Sequence, residues 1–175
     1  YDFGDVEAGF RQRLTGSASR TVVSVQGLFA FPAYSDTRTP PPGNHQFDFE
    51  PRLLIGRGYQ LEQRSIFWNA EGAFRLRTGA PADQVRIDGT LGANLHSRFM
   101  LMGQAFSIIG LRNGEPFRIG TNPNVQSDFD LGKVQVSAVV RLSNTLRVQT
   151  GVFQTFVGRN TGYSRGALIS LWYGF

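Results

Sequence analysis

The sequence predicts an all-β fold: an antiparallel up-and-down transmembrane β-barrel, with about nine strands visible in its 175 residues. Three observations predict it. Apolar and polar side chains alternate with a period of two through nine successive segments, each about 10–15 residues long, as strands with one apolar and one polar face require. No run of about 18 apolar residues could make a helical span, and the mean hydropathy of −0.20 is the low value that alternating strands give. The connections also alternate between short and long, as in barrels with tight turns on one side of the membrane and larger loops on the other.

Each element follows from its alternation. In residues 3–14, Val6, Ala8, Phe10 and Leu14 oppose Asp5, Glu7, Arg11 and Arg13. After the turn at 15–19, residues 20–32 place Val23, Val25, Gly27, Phe29 and Phe31 on one face. The loop 33–46 contains Pro40-Pro-Pro-Gly43, which a sheet interior cannot hold. Residues 47–61 set Phe47, Phe49, Leu53, Ile55, Tyr59 and Leu61 against Asp48, Glu50 and Arg52. Past the turn at Glu62-Gln-Arg64, residues 65–78 set Ile66, Trp68, Ala70, Gly72, Phe74 and Leu76 against Asn69, Glu71, Arg75 and Arg77. Residues 84–95 oppose Val85, Ile87, Leu91, Ala93 and Leu95 to Arg86, Asp88, Thr90 and Asn94, and His96-Ser97 turns the chain. Residues 98–111 carry Phe99, Leu101, Gly103 and Ala105 opposite Met102 and Gln104.

The second long loop, 112–127, holds Pro116 and Asn122-Pro-Asn124. Residues 128–142 place Val134, Val136, Ala138, Val140 and Leu142 against Gln135, Ser137 and Arg141, with a change of register near Gly132 that predicts a bulge. Residues 145–158 set Leu146, Val148 and Val152 against Arg147 and Gln149. The last strand, from Arg165, has Ala167, Ile169, Leu171 and Tyr173 in register and ends on Phe175.

Composition narrows the function classes. The net charge is +5, with 18 basic residues, of which Lys133 alone is lysine. They are scattered among Asp and Glu and form no basic helix or patch, which argues against a nucleic-acid partner; contact with anionic lipid head groups stays compatible. There is no cysteine. No Cys/His metal spacing and no phosphate-cradling glycine loop occurs, so no metal and no cofactor is expected. Asp36, Asp48, Asp128 and Asp130 flank the long loops and could hold a divalent cation, although solvated loop charges explain them as well.

The terminal register Ile169, Leu171, Tyr173, Phe175 resembles the C-terminal signal of bacterial outer-membrane barrels, which the barrel-assembly machinery reads. The alternative is an edge strand of a soluble β-sandwich. The resemblance implies the outer membrane of a Gram-negative bacterium, with outer-membrane lipid and lipopolysaccharide as surroundings. If the last strand runs toward the periplasm, the tight turns all fall on the periplasmic side, and loops 33–46 and 112–127 face outward, where they could engage a protein partner. The first strand then runs inward from outside, so residues 1–175 are expected to form one barrel domain lacking one or more N-terminal strands, with about 10–12 in the full barrel. A leader is expected to have been removed before Tyr1.

Two stretches resemble the outer-membrane proteins of the meta-pathway phenol-degradation family. Gly4-Asp-Val-Glu-Ala-Gly-Phe-Arg-Gln-Arg-Leu14 is similar to its Gly-Asp-x-x-x-Gly-x-x-x-Arg-Leu strand. Ala82-Asp-Gln-Val-Arg-Ile-Asp-Gly-Thr-Leu-Gly92, followed by Leu101-Met-Gly-Gln104, is similar to the later part of such barrels. The resemblance implies a barrel of about a dozen strands and passage of hydrophobic or aromatic small molecules, with no catalytic residues.

The expected lumen register is Asp5, Glu7, Arg11, Arg13, Glu50, Arg52, Glu71, Arg75, Arg77, Arg86, Asp88, Arg141 and Arg147. It could line a charge-selective conduit, or pair internally and fill a narrow barrel. Phe29, Phe31, Phe47 and Phe49 at one end, and Tyr59, Trp68, Phe99 and Tyr173 at the other, fit two interfacial girdles. Arg57 falls in the apolar register, where it can snorkel beside Tyr59. Enzyme signals are confined to His45, in the proline loop, and His96-Ser97, in a turn without an acidic partner. The expected function is therefore an outer-membrane channel or transporter for small molecules and not an enzyme. The alternatives are a structural or interaction barrel with a closed, ion-paired lumen and, third, a lipid A-modifying enzyme.

Overall fold

The structure is a computed structural model and describes residues 4–34, 46–62, 64–114 and 128–174. They form nine strands: β1 (Asp5–Arg13), β2 (Thr21–Pro32), β3 (Asp48–Leu61), β4 (Arg64–Arg77), β5 (Gln84–His96), β6 (Phe99–Gly110), β7 (Asp130–Arg141), β8 (Leu146–Arg159) and β9 (Arg165–Tyr173). Every strand pairs antiparallel with its neighbour in sequence, giving one meander sheet in the order β1 to β9. No helix occurs among the described residues. Each strand lies within two residues of its expected bounds. His96 closes β5 instead of opening the turn, after a register shift between Asn94 and His96. Arg64 likewise opens β4, leaving Glu62, at φ 43°, as the described part of its turn. The bulge expected near Gly132 is present, as a shift between Gly132 and Lys133 against β8.

The sheet does not close: among the described residues β1 pairs only with β2, and β9 only with β8. The barrel expected from the sequence therefore takes the form of an open, single-layer sheet. It has two unlike ends. The turn end carries connections 14–20, 62–63, 97–98 and 142–145, and the loop end carries 33–47, 78–83, 111–129 and 160–164. Turn chemistry supports the short ones: the Ser143 hydroxyl accepts from the Thr145 and Leu146 amides at 3.2 and 3.0 Å. At the loop end Asp83 and Asn113 bond reciprocally, N–H to Oδ1 at 2.9 Å and Nδ2 to Oδ2 at 2.7 Å.

Burial is inverted relative to a water-soluble sheet. Among the described residues, 31 large apolar or aromatic side chains are exposed, while six hydrophobic residues are buried, three of them alanines. The buried polar residues include Ser24, Glu50, Arg75, Gln84, Ser137 and Gln149. The strand registers put all six on one face. Packing between elements joins only consecutive strands, so no second layer covers that face among the described residues. Arg75 of β4 reaches Glu7 of β1 across two intervening strands, and Glu50 between them is 1% exposed, so the sheet curls around this face. The polar face is thus concave and the apolar face convex.

Candidate functional site

The concave face collects every residue expected to line a lumen. In β1, Asp5, Glu7, Arg11 and Arg13 oppose Pro32, Ala30, Gln26 and Ser24 of β2, and these continue into Asp48, Arg52 and Leu54 of β3. Glu71, Arg75 and Arg77 of β4 share that face with Asp88 and Arg86 of β5, as do Arg141 of β7 and Arg147 of β8.

Eight of those thirteen residues, joined by Asp48, form one ion-pair network. The Arg52 guanidinium donates to Glu50 Oε1 at 2.7 Å, Glu71 Oε2 at 2.7 Å and Asp88 Oδ2 at 2.8 Å. Arg75 donates to Glu50 Oε2 at 2.7 Å and Glu7 Oε1 at 3.1 Å, and lies 3.6 Å from Asp48. Arg77 and Arg86 complete it, 3.7 Å from Asp48 and 3.3 Å from Glu50. The side chains opposite Glu7 and beside Arg52 on β2 are Ala30 and Gln26. A small residue at Ala30 leaves β1 free to reach β4 over the intervening strands, which the curl of the sheet brings closer. Taking these charges out of water is costly, and their mutual pairing offsets that cost because each of the five carboxylates has at least one guanidinium partner, and Glu50, the most buried, has one or more on both oxygens.

The other half of the face is built differently. Gln135 donates to Gln104 Oε1 at 2.9 Å and to Ser137 Oγ at 3.2 Å, Gln149 donates to Ser137 Oγ at 3.0 Å, and Trp172 Nε1 donates to Gln149 Oε1 at 3.1 Å. This uncharged chain runs from β6 to β9 and holds the Trp172 indole in place. Lys133 lies between two aromatic rings, 4.9 Å from the Phe106 centroid and 5.3 Å from that of Phe153. Gln104, Gln135, Ser137 and Gln149 lie in the polar register that the alternation predicts, but being uncharged they are not among the expected site residues. Their place in the polar register is legible in the sequence, but only the pairing of the strands brings them together.

Five expected lumen residues stay outside the network. Arg11 donates to Gln26 Oε1 at 2.8 Å, and Arg13 donates to the Gly16 carbonyl at 2.9 Å. Asp5, Arg141 and Arg147 have no side-chain partner among the described residues. Arg141 and Arg147 stand directly opposite one another on β7 and β8, and Trp172 of β9 is the next residue along the same row. They line a cavity of about 340 Å³ at the turn end, with Phe67, Asn94, Arg98 and Met100 on its other walls.

The candidate cation ligands are otherwise engaged. Arg159 clasps Asp130 at 2.7 and 3.0 Å and Asp128 at 3.0 and 3.1 Å, and Asp48 belongs to the network. No group of three or more metal-binding side chains occurs among the described residues. These carboxylates are thus paired with arginine and are not the freely solvated loop charges that the sequence also allowed. Asp36 and His45 lie outside the described residues. Ser97 Oγ is 3.4 Å from His96 Nδ1, and both are exposed at the turn end, with no carboxylate bonded to the imidazole among the described residues.

On the convex face, Phe29, Phe31, Phe47 and Phe49 gather at the loop end, with the Phe29 and Phe49 rings 4.8 Å apart. Tyr59, Trp68, Phe99 and Tyr173 sit toward the turn end. Arg57 lies over the Tyr59 ring, 4.9 Å from its centroid. Ile169, Leu171 and Tyr173 are 79%, 70% and 70% exposed, so β9 presents its apolar register outward; Phe175 lies outside the described residues. Comparison with family models, with curated proteins and with solved structures finds no match to this chain.

Proposed function

We propose that this chain is an outer-membrane β-barrel protein of a Gram-negative bacterium that provides a narrow passage for small molecules, hydrophobic or aromatic ones among them. The observation that carries the reading is the inverted burial, with large apolar side chains exposed on all nine strands and an ion-pair network buried on the opposite face. Water penalises such an arrangement, whereas a bilayer favours it. Strands of 9–14 residues have the length a tilted membrane strand needs. The closed barrel of this reading has about 10–12 strands, with β1 and β9 meeting through the added ones. The aromatic groups at both ends form its girdles, and Ile169, Leu171, Tyr173 and Phe175 form the signal for the assembly machinery. The aromatic substrate class rests on the family resemblance of residues 4–14 and 82–104. No enzymatic step enters this reading.

Detergent extraction and heat-modifiable gel migration test the membrane assignment: a folded form that migrates apart from its boiled form is expected, and a freely soluble, unshifted monomer would refute it. Planar-bilayer recording tests the passage. A second reading is favoured by one observation, the ion-pair network across β1, β3, β4 and β5, which would block one side of the interior. In that reading the barrel is structural, or binds a partner through loops 33–46 and 112–127. Steady conductance from the unaltered protein would refute it. A silent protein that conducts once Arg52→Ala and Arg75→Ala are introduced would establish the network as the plug.

A further inference from the structure

The network leaves one group of charges unexplained. Residues 1–96 carry ten basic and ten acidic side chains, and residues 97–175 carry eight basic and three acidic ones. The whole net charge of the chain therefore sits in its second part. Of those three acids, Asp128 and Asp130 are held by Arg159 at the loop end, and Glu115 lies outside the described residues. Among the described residues nothing acidic lines the turn-end cavity, yet Arg98, Arg141 and Arg147 all line it. Arg141 and Arg147 form a direct cross-strand pair, an arrangement that costs stability because like charges face each other at the closest spacing a sheet offers. Neither guanidinium has a hydrogen-bond or ion-pair partner among the described residues. An arginine is always charged and offers a planar fork of donors suited to a carboxylate.

The same cavity has flat walls. Trp172 is the direct neighbour of Arg147 on β9, and its indole is fixed by the bond to Gln149. Phe67 faces it from β4, its ring lying over Gly92, where a side chain would collide with it. A volume of about 340 Å³ is at the small end of the range for ligand sites.

We propose that the turn-end cavity is a binding site for a small aromatic carboxylate, with Arg141 and Arg147 holding the carboxylate and Trp172 and Phe67 holding the ring. The ligand's negative charge would relieve the repulsion between the two arginines, which accounts for their placement. The site is independent of whether the sheet conducts, so it can be tested on a silent protein.

The chain has two tryptophans, and Trp68 lies on the convex face. In a Trp68→Phe background, refolded in a nonionic detergent, Trp172 is the sole indole reporter. Titration with benzoate is expected to quench it saturably. Benzamide, which has the ring without the charge, should bind at least about tenfold more weakly, as loss of a charge-assisted bond implies. Arg141→Gln and Arg147→Gln should each weaken benzoate by about tenfold or more while leaving the heat-modifiable migration intact, because each removes a like-charge contact. Arg147→Lys, which keeps the charge and loses the fork, should fall between. Benzoate and benzamide binding alike, or unchanged benzoate binding in both glutamine variants, would overturn the proposal. Equal affinity for benzoate and inorganic phosphate would overturn the assignment of Trp172 and Phe67 to the site.

Discussion

Glu50→Gln is the sharpest perturbation of the fold. Glu50 is 1% exposed, and its two oxygens take bonds from Arg52 and Arg75 at 2.7 Å each, with Arg86 3.3 Å away. Glutamine keeps the shape and removes the charge. Arg52 would retain Glu71 and Asp88, and Arg75 would retain Glu7 and Asp48, but Arg86 would lose its ion-pair partner. Breaking a buried pair from one side costs about 3–5 kcal/mol. The retained partners put this case at about 3 kcal/mol, since one cation of three is left without compensation. With a urea slope of about 2 kcal/mol per molar, the unfolding midpoint should fall by about 1.5 M with the slope unchanged. The measurement is urea unfolding in phospholipid vesicles, followed by tryptophan fluorescence, with Asp5→Asn as the exposed, unpaired control expected within about 0.5 kcal/mol of the original. Adding Arg86→Gln to Glu50→Gln should recover about 1 kcal/mol or more. A loss below about 0.5 kcal/mol for Glu50→Gln, or no recovery in the double variant, would refute the network as a structural unit.

Three further outcomes follow from the same geometry. Leu91 is 59% exposed near the middle of β5 on the convex face, so Leu91→Arg should cost about 2–4 kcal/mol in a bilayer; within about 0.5 kcal/mol is the outcome for a surface bathed in water, and folding into vesicles against folding in detergent distinguishes them. Gly92→Ala should cost about 1–3 kcal/mol, because its Cβ would run into the Phe67 ring, and Phe67→Leu in the same chain should return part of that in urea unfolding. Ser143→Ala removes the acceptor for two amides of the β7–β8 turn and should lower stability by about 1 kcal/mol, read as a lower thermal midpoint.

The elements were legible in the sequence because the alternation is strict. Runs such as Val85-Arg-Ile-Asp88 admit one assignment of faces, and the glycine at 132 breaks the pattern where the strand itself is bulged. Closure was not legible, because it depends on how the edges β1 and β9 are met and not on the pattern within any strand. The site was legible as a face and not as a set of clusters. Glu7 and Arg75 are 68 residues apart, and their pairing depends on curvature and on the small side chain of Ala30 between them. The uncharged chain from Gln104 to Trp172 escaped notice because single glutamines carry no signal until their strands are in register. Arg141 and Arg147 looked like members of one charged register with Arg75 and Arg86, until the pairing of β7 with β8 separated them from every acid.

The nearest-neighbour topology has a kinetic consequence. Among the described residues every strand pairing joins strands adjacent in sequence, so each hairpin can form without waiting for distant segments to meet, and loop-closure entropy is met in small steps. Only side chains reach beyond the nearest strand. The Arg75–Glu7 bond cannot form until β1 to β4 are in register, nor the Arg52–Asp88 bond until β3 to β5 are. The backbone can therefore assemble as a zipper while the interior salt bridges act as a late latch, and a chain arrested partway would carry strands already paired around charges that have not yet found each other.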